Sequence, residues 1–338
     1  MMADVTSSHH ALGGPFFDDL HLGQVFDSAP SMTLTTGLAA THQSIVGDRL
    51  RLALDSVLAA AVVGASGPLA HPALVCDVAI GQSTLVTQRV KANLFYRGLA
   101  FHRYPVIGDT LFTRTEVVGL RQNSPKPGRA PTGLAAIRVT TSDQHARRIL
   151  DFHRCAMLPC REAADTGHRD DLSVIGASAA LPPDPTADWD IAFYRANVPG
   201  GARSMKEQEG VVLTSTADVV SGAAELARLT LNIAATHHDW RIGGRRLVYG
   251  GHTIGLALAQ VTRLLPNLIT ILGWQSCDHT NPVFEGDTVY STVQIESAEP
   301  RRDGASTLQL RSRVFAAAAD EDTTDRQVLD WRFSALSC

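Results

Sequence analysis

The residues best suited to proton transfer lie together in the stretch LTLNIAATHHDW, residues 229–240. Two adjacent histidines, His237 and His238, are followed by Asp239, and Asn232 lies five residues before the first histidine. An imidazole exchanges protons near neutral pH because its unperturbed pKa is about 6.5. An asparagine takes up no proton to a useful extent, but its amide can hold a water molecule. The stretch is therefore either part of a proton-transfer site or a solvated helix end.

A second feature with chemical potential is the run Tyr249-Gly250-Gly251-His252-Thr253, which leads into an apolar segment. The first N–H groups of a helix have no partner inside the helix, and with the helix dipole they attract negative charge. Glycines allow a substrate to approach the backbone closely. The run predicts that Gly250, Gly251, His252 and Thr253 bind a substrate oxygen that becomes negatively charged. The alternative for His252 is capping or packing at the helix start.

The elements that must position these residues follow from the apolar pattern. The segment TIGLALAQVTRLL, from Thr253 to Leu265, is apolar almost all round, which is typical of a buried helix, and Pro266 ends it. Four strands are predicted in each half of the chain, at 90–102, 110–120, 132–143, 147–158, 268–279, 288–298, 306–318 and 327–336. A buried helix followed by several long antiparallel strands predicts an α+β fold in which a sheet wraps around a helix.

An internal repeat divides the chain into two similar halves. Residues 101–118 and 278–295 both contain Pro-Val, then Gly-Asp-Thr, then a run that alternates between apolar and polar residues. Gly-Asp predicts a turn, and the alternating run predicts a half-buried strand. The two glycines, Gly108 and Gly286, are 178 residues apart, which indicates duplication. The predicted organisation is a flexible tail at 1–14, an N-terminal domain at 15–160, a linker at 161–185 and a C-terminal domain at 186–338.

Composition limits the class of protein. The chain has 338 residues, of which 44% are hydrophobic and 19% charged, as is typical of a soluble globular protein. A net charge of −4 argues against a nucleic-acid-binding protein. No apolar run reaches the length of about 18 residues that a membrane span needs, and the first residues do not resemble a signal peptide. Five scattered cysteines indicate free thiols in a reducing, cytoplasmic environment.

The order of elements, with these motifs, resembles the hot-dog fold, and more narrowly the MaoC-like, R-specific enoyl-CoA hydratases that carry two hot-dog domains in one chain. The opening FFDDLHLGQVF and the two Gly-Asp-Thr turns look most like the mesaconyl-CoA hydratase branch. The family motif is an aspartate, a histidine five residues later and a second aspartate two residues after that. The resemblance gives His237 the place of the catalytic histidine, Asn232 that of the leading aspartate and Asp239 that of the trailing aspartate.

The first half departs from this motif in the opposite way. Asp48 holds the leading position, but Ala53 stands where the histidine belongs, and Asp55 holds the trailing position. The resemblance therefore implies a catalytic C-terminal domain and a degenerate N-terminal domain that shapes the acyl and CoA pocket. Asp48 and Asp239 are the carboxylates that could assist His237. The alternative for Asp48 is a cap or a turn.

The implied function is reversible hydration of a 2-enoyl-CoA thioester, with a short, branched or mesaconyl-type acyl group, and a medium-chain fatty acyl group is the alternative. His237 would act as acid and base on a water held by Asn232, and backbone N–H groups would form the oxyanion hole. No metal and no cofactor are implied, since CoA is part of the substrate. Two alternatives stay open, a hot-dog acyl-CoA thioesterase and a non-catalytic acyl-CoA-binding or partner subunit. The expected assembly is a homodimer of pseudo-dimeric chains, without nucleic acid or membrane.

Overall fold

The computed structural model of the chain describes residues 13–65, 67–177, 183–199, 205–318 and 324–338. Most of the predicted tail (residues 1–12) and residues 178–182 of the predicted linker lie outside the described residues. Among the described residues, every helix is too short or too polar to traverse a lipid bilayer. All five cysteines are described, and each is a free thiol.

Each half contains short elements, one long helix and four long strands. The N-terminal half consists of β1 (Val25–Phe26), β2 (Met32–Thr33), α1 (Thr36–Val46), α2 (Arg51–Leu54), α3 (Ser56–Val63), α4 (Pro72–Gln82), β3 (Ala92–Phe101), β4 (Thr110–Gln122), β5 (Thr132–Ser142) and β6 (Arg148–Pro159). The C-terminal half consists of α5 (Ile191–Asn197), β7 (Val212–Thr214), β8 (Asp218–Val219), α6 (Ala223–Leu229), α7 (Gly250–Leu264), β9 (Leu268–His279), β10 (Thr288–Pro300), β11 (Ser306–Ala316) and β12 (Arg326–Ser337). Six short 3-10 turns connect these described elements, at Phe17–Asp19, Ser83–Leu85, Leu172–Val174, Met205–Gln208, Ala235–His237 and Trp240–Ile242.

The described strands form one antiparallel sheet that is continuous across both halves. Its strand order is β1-β4-β5-β6-β3-β9-β12-β11-β10-β7, while β2 pairs with β4 and β8 pairs with β10. The halves join where β3 pairs with β9, in a register that sets Tyr96 opposite Cys277. Helices α4 and α7 contact each other within the core. These features confirm the predicted α+β fold of two tandem hot-dog units.

The two long helices are buried because their sequences lack a polar face. All eleven residues of α4 are buried, and α7 is buried from Gly251 to Thr262, which confirms the predicted core helix. At the start of α4, His71 Nδ1 accepts the N–H of Ala73 at 3.1 Å. Helix α7 begins at Gly250, three residues before the predicted start at Thr253. Glycines usually disfavour helix, but the two that begin α7 are helical. A side chain at either position would collide with a neighbouring residue, which explains why glycine is found there.

The predicted duplication is visible in two turns with the same hydrogen bonds. In the first turn, Asp109 Oδ2 accepts the N–H of Val106 at 2.9 Å. In the second, Asp287 Oδ2 accepts the N–H of Phe284 at 3.0 Å. The glycine before each aspartate has a positive φ, 111° in the first turn and 93° in the second, a region that favours glycine. Gly-Asp therefore acts as turn chemistry in both halves, as predicted.

All eight predicted long strands are present, and their ends differ from the predictions by at most two residues. Strand β4 shows why the alternating pattern is informative, since every second residue from Leu111 to Gly119 is buried. The domain boundaries stay a prediction. Around the predicted linker, β6 ends at Pro159 and α5 begins at Ile191.

Candidate functional site

A cavity of about 270 Å³ opens between the two halves of the chain. From the C-terminal half, it is lined by residues that include Asn232, His237, Tyr249, Gly250, Thr253, His279, Thr280 and Asn281. From the N-terminal half, it is lined by residues that include Ile80, Thr84, Thr87, Lys91, Tyr96 and Arg154. Apolar walls with a few convergent polar groups are typical of small-molecule sites. The predicted pair Asn232 and His237 therefore lies in one cavity, to which both halves contribute.

The loop that carries Asn232 is held against the N-terminal half. Leu231 has a left-handed backbone conformation with φ of 60°, which turns the chain sharply after α6. The N–H of Asn232 then donates to Ala227 O at 2.9 Å. The next residue, Ile233, donates its N–H to Thr84 Oγ1 at 3.1 Å, which is a contact between the two halves. The position of Asn232 is thus fixed by backbone hydrogen bonds on both sides.

The side chain of Asn232 has a defined orientation. It is buried, and its Oδ1 accepts the N–H of Ala234 at 3.0 Å. Oδ1 keeps one further lone pair, and Nδ2 has two N–H groups that can donate to a ligand or a water. His238 Nε2 lies 2.6 Å from the backbone oxygen of Asn232 and donates to it. His238 therefore supports the loop, in agreement with a structural role.

His237 is buried as a neutral imidazole with one nitrogen engaged. Its Nδ1 lies 2.9 Å from Leu247 O, and because a carbonyl only accepts, Nδ1 carries the proton. Nε2 is then the basic nitrogen. Burial lowers the pKa of His237 to about 4, the hydrogen bond to Leu247 opposes this shift, and the charges of His238 and Arg154 add to it. The imidazole is therefore unprotonated and able to accept a proton at neutral pH.

The amino end of α7 presents only part of the predicted oxyanion run to the cavity. Gly250 and Thr253 line it, whereas Gly251 and His252 are not among its lining residues. A Cβ at Gly251 would lie 2.0 Å from Asp77 Oδ1, so this glycine packs against the core. His252 is fully buried, and neither ring nitrogen has a hydrogen-bond partner among the described residues. Gly250, at the first helical position, is thus the best-placed backbone donor for a developing negative charge.

The sequence motif misses several polar residues that line the cavity, among them Tyr96, Arg154 and His279. His279 is half-buried with a buried Nε2, desolvation lowers its pKa to about 4, and its Nε2 would lie 2.5 Å from a Cβ at Gly250. The repeat contains a signal for it, because His102 occupies the same place before Pro-Val in the first copy. Tyr96 and Arg154 face each other on β3 and β6, in the half without the motif. Among the described residues, no group of three or more metal-binding side chains converges here or elsewhere.

The two carboxylates predicted to assist lie away from the lining. Asp239 accepts the N–H of Arg241 at 3.0 Å and forms an ion pair with its guanidinium, which lowers the pKa of Asp239 to about 2. Asp48 is fully buried, lies 2.8 Å from His71 Nε2 and accepts the N–H of Leu50 at 2.7 Å. Asp48 lines a separate groove that shares no residue with the cavity. The assisting roles stay a prediction to which this geometry adds no support.

The pKa values of three histidines with enclosed side chains are lowered, and we therefore expect the protein to lose stability in mild acid. Burial lowers the pKa of His237, His252 and His279 to about 4 each, against about 6.5 for an unfolded histidine. Below pH 6.5 the unfolded chain therefore binds more protons than the folded chain. Their contribution to stability is complete above pH 6.5 and is lost as the pH falls toward 4. We expect the melting temperature, followed by circular dichroism, to fall across this window.

Two variants control this experiment. His252→Met removes one titrating group at similar volume. The stability of this variant should fall less steeply as the pH falls, because unfolding then takes up about one proton fewer. His21→Ala alters an exposed side chain and should keep the wild-type slope. A melting temperature that is constant from pH 7 to 4.5 would contradict the argument.

Known proteins are similar to the chain over most of its length, although no family model matches it. It is 30% identical to beta-methylmalyl-CoA dehydratase of Chloroflexus aurantiacus, over 88% of this chain and 87% of that protein. It is 26% identical to mesaconyl-CoA hydratase of Cereibacter sphaeroides, over 88% of each. Among solved structures, RV0216 of Mycobacterium tuberculosis, a conserved hypothetical protein with a double hot-dog fold, is 69% identical with a TM-score of 0.93, over 96% of this chain and 99% of that one. A MaoC domain protein of Chloroflexus aurantiacus is 27% identical with a TM-score of 0.77, over 96% and 97%.

Proposed function

Because the chain belongs to the MaoC-like double hot-dog hydratases and dehydratases, we propose that it hydrates a 2-enoyl-CoA thioester reversibly to a 3-hydroxyacyl-CoA. The acyl group would be short, branched or mesaconyl-type, in keeping with the relatives named above. One observation carries the proposal: a buried, neutral His237 lines a cavity at the amino end of a core helix, with its Nδ1 engaged and its Nε2 basic.

Hydration requires one group to move a proton twice. His237 Nε2 takes a proton from water as the water oxygen forms a bond to the β-carbon. The π electrons of the double bond move toward the thioester, where the carbonyl oxygen becomes an enolate oxygen. The imidazolium then returns the proton to the α-carbon, and the thioester carbonyl reforms. Dehydration is the same sequence reversed.

Asn232 supports this chemistry by holding the water rather than by accepting a proton. Its Oδ1 already accepts the N–H of Ala234, and Nδ2 donates to a lone pair of the water. The water can then direct one O–H to His237 and its second lone pair to the substrate. An aspartate at this position would accept a hydrogen bond from the water. The Nδ2 of asparagine instead donates a hydrogen bond to the water oxygen.

The enolate oxygen needs a positive electrostatic environment, which α7 supplies. Gly250 occupies the first helical position and lines the cavity, so its N–H points out of the helix without an internal partner. The dipole of a fifteen-residue helix adds to this donor. A larger residue at 250 would collide with His279 Nε2 and approach Tyr96 Oη to 3.2 Å.

A single assay separates the proposal from its alternatives. The purified protein is mixed with crotonyl-CoA and with mesaconyl-CoA, while the enoyl absorbance and free thiol are followed together. We expect the enoyl absorbance of at least one probe to fall without release of thiol. Thiol release would instead indicate a thioesterase, and tight binding without either change would indicate an acyl-CoA-binding subunit. We also propose that the protein is a cytoplasmic homodimer. Size-exclusion chromatography of the purified protein tests whether it is a dimer.

A further inference from the structure

One wall of the cavity carries a buried positive charge that the reaction above does not use. Arg154 lies on β6 of the N-terminal half, is 3% exposed, and lines the cavity together with His237. Its Nη2 donates to Thr87 Oγ1 at 2.7 Å and to Ser83 O at 3.3 Å. Its Nε has no hydrogen-bond partner among the described residues. Nη2 is therefore engaged by the protein and Nε is not, while the hydroxyl of Tyr96 lies beside the guanidinium.

No carboxylate neutralises this charge within the described part of the chain. Some strand arginines elsewhere do have such partners, Arg138 with Asp151 and Arg311 with Asp330, both at 2.5 Å. Arg154 has none within 4.0 Å, although it is the most buried of these three side chains. A buried ion without a partner is costly, and the nearby end of α4 compensates only in part.

The fold itself does not require a charge at this place. In the C-terminal half, the matching last strand, β12, directs Trp331 and Phe333 into the core. The two hot-dog units therefore close their sheets equally well with aromatic residues or with an arginine. The charge is specific to the half that forms this cavity wall, and Tyr96 Oη lies close enough to influence its pKa.

We propose that Arg154 binds a carboxylate on the acyl group, so that the substrate is an enoyl-CoA with an acidic acyl chain. The inference rests on the proposed function and names its substrate class. A guanidinium stabilises a carboxylate through charge-assisted N–H···O bonds, and Arg154 can donate one from its partnerless Nε while Nη2 keeps its bonds to Thr87 and Ser83. The substrate carboxylate then supplies the missing counter-ion. An uncharged acyl group leaves Arg154 buried without one, which selects against that substrate.

The test compares two probes of nearly equal shape, mesaconyl-CoA and the analogue in which its free carboxylate is a primary amide. For the wild type we expect kcat/KM to favour the carboxylate by about 100-fold. Arg154→Gln should lower kcat/KM for the carboxylate by about the same factor and change the value for the amide by less than about fivefold. Arg154→Lys keeps the charge but loses the Nε donor, so its kcat/KM for the carboxylate should lie between those of the wild type and Arg154→Gln. Melting temperatures verify that each variant is folded.

Several results would overturn the inference. A wild type that hydrates the amide as well as the carboxylate excludes charge recognition, even if no variant folds. An equal loss on both probes in Arg154→Gln shows that Arg154 only ties β6 to α4 through Thr87 and Ser83. If the wild type hydrates neither probe, the proposed function fails. The binding affinities for succinyl-CoA and for its amide then decide the role of Arg154. A preference for the acid that is lost in Arg154→Gln supports carboxylate recognition by Arg154, and equal binding of acid and amide refutes it.

Discussion

His237→Ala is expected to lower kcat for hydration by about 10³-fold, because His237 is the neutral base that shares its loop with Asn232, whereas His279 enters the cavity from β9 beside Gly250. The substrate-binding walls stay intact, so KM should change much less than kcat. The measurement is the initial rate of enoyl absorbance loss at saturating substrate. The melting temperature at pH 7.5 shows whether the variant is folded, since the hydrogen bond from His237 Nδ1 to Leu247 O is lost.

A matched control for this variant is His21→Ala, which removes an exposed imidazole and should leave kcat unchanged. A folded His237→Ala protein with kcat within threefold of the wild type would remove His237 from the mechanism. The hydratase proposal would then need another base, and His279 in the same cavity is the first to examine.

Gly81→Ala is expected to be the most damaging small substitution in the N-terminal half. A Cβ at Gly81 would lie 1.7 Å from Thr230 O and 3.1 Å from Asn232 N, and both are backbone atoms that cannot rotate away. Either α4 or the Asn232 loop must move by more than 1 Å. We expect a loss of about 3 kcal/mol in the free energy of unfolding. We also expect a loss of about 100-fold in kcat, because such a shift displaces the water-holding amide.

Gly37→Ala is the control for this backbone effect. Gly37 lies in the first turn of α1, and its nearest contact to a new Cβ is an ordinary 3.8 Å. Alanine is the better helix former, so this variant should be as stable as the wild type or slightly more stable. Chemical denaturation gives both free energies. A Gly81→Ala protein with wild-type stability and activity would show that the loop is not fixed by α4.

Much of this molecule is predictable from sequence because its signals are local. The alternating runs predict all eight long strands, and the apolar run from Thr253 predicts the core helix. The Gly-Gly pair before it is ambiguous, since glycine favours loops in most settings. Only the packing of Gly250 against His279, and of Gly251 against Asp77, explains why the helix begins there. Such neighbours come from distant parts of the chain and leave no local pattern.

The site divides in the same way. His237 and Asn232 follow from a motif within six residues of sequence, whereas Tyr96 and Arg154 enter through the pairing of β3 with β6 and β9. One signal for Arg154 was present in the strand itself. Alternate residues of a strand lie on the same face, so Phe152, Arg154 and Ala156 share one face of β6. All three are buried, which means that Arg154 carries its charge on the inward face. Charged residues are rarely buried without a partner, so a single arginine on an inward-facing, otherwise apolar row of a strand indicates a functional site.

Fusion of the two units has an evolutionary consequence. In a symmetric pair of identical subunits, every substitution arises twice, so both equivalent clefts change together. Here the two units are encoded separately, and each can diverge alone. The N-terminal unit carries Arg154 where the C-terminal unit carries Phe333, and Asp48 pairs with His71 within the N-terminal unit alone. A single gene thus yields one asymmetric pocket where two like pockets would otherwise be obligatory.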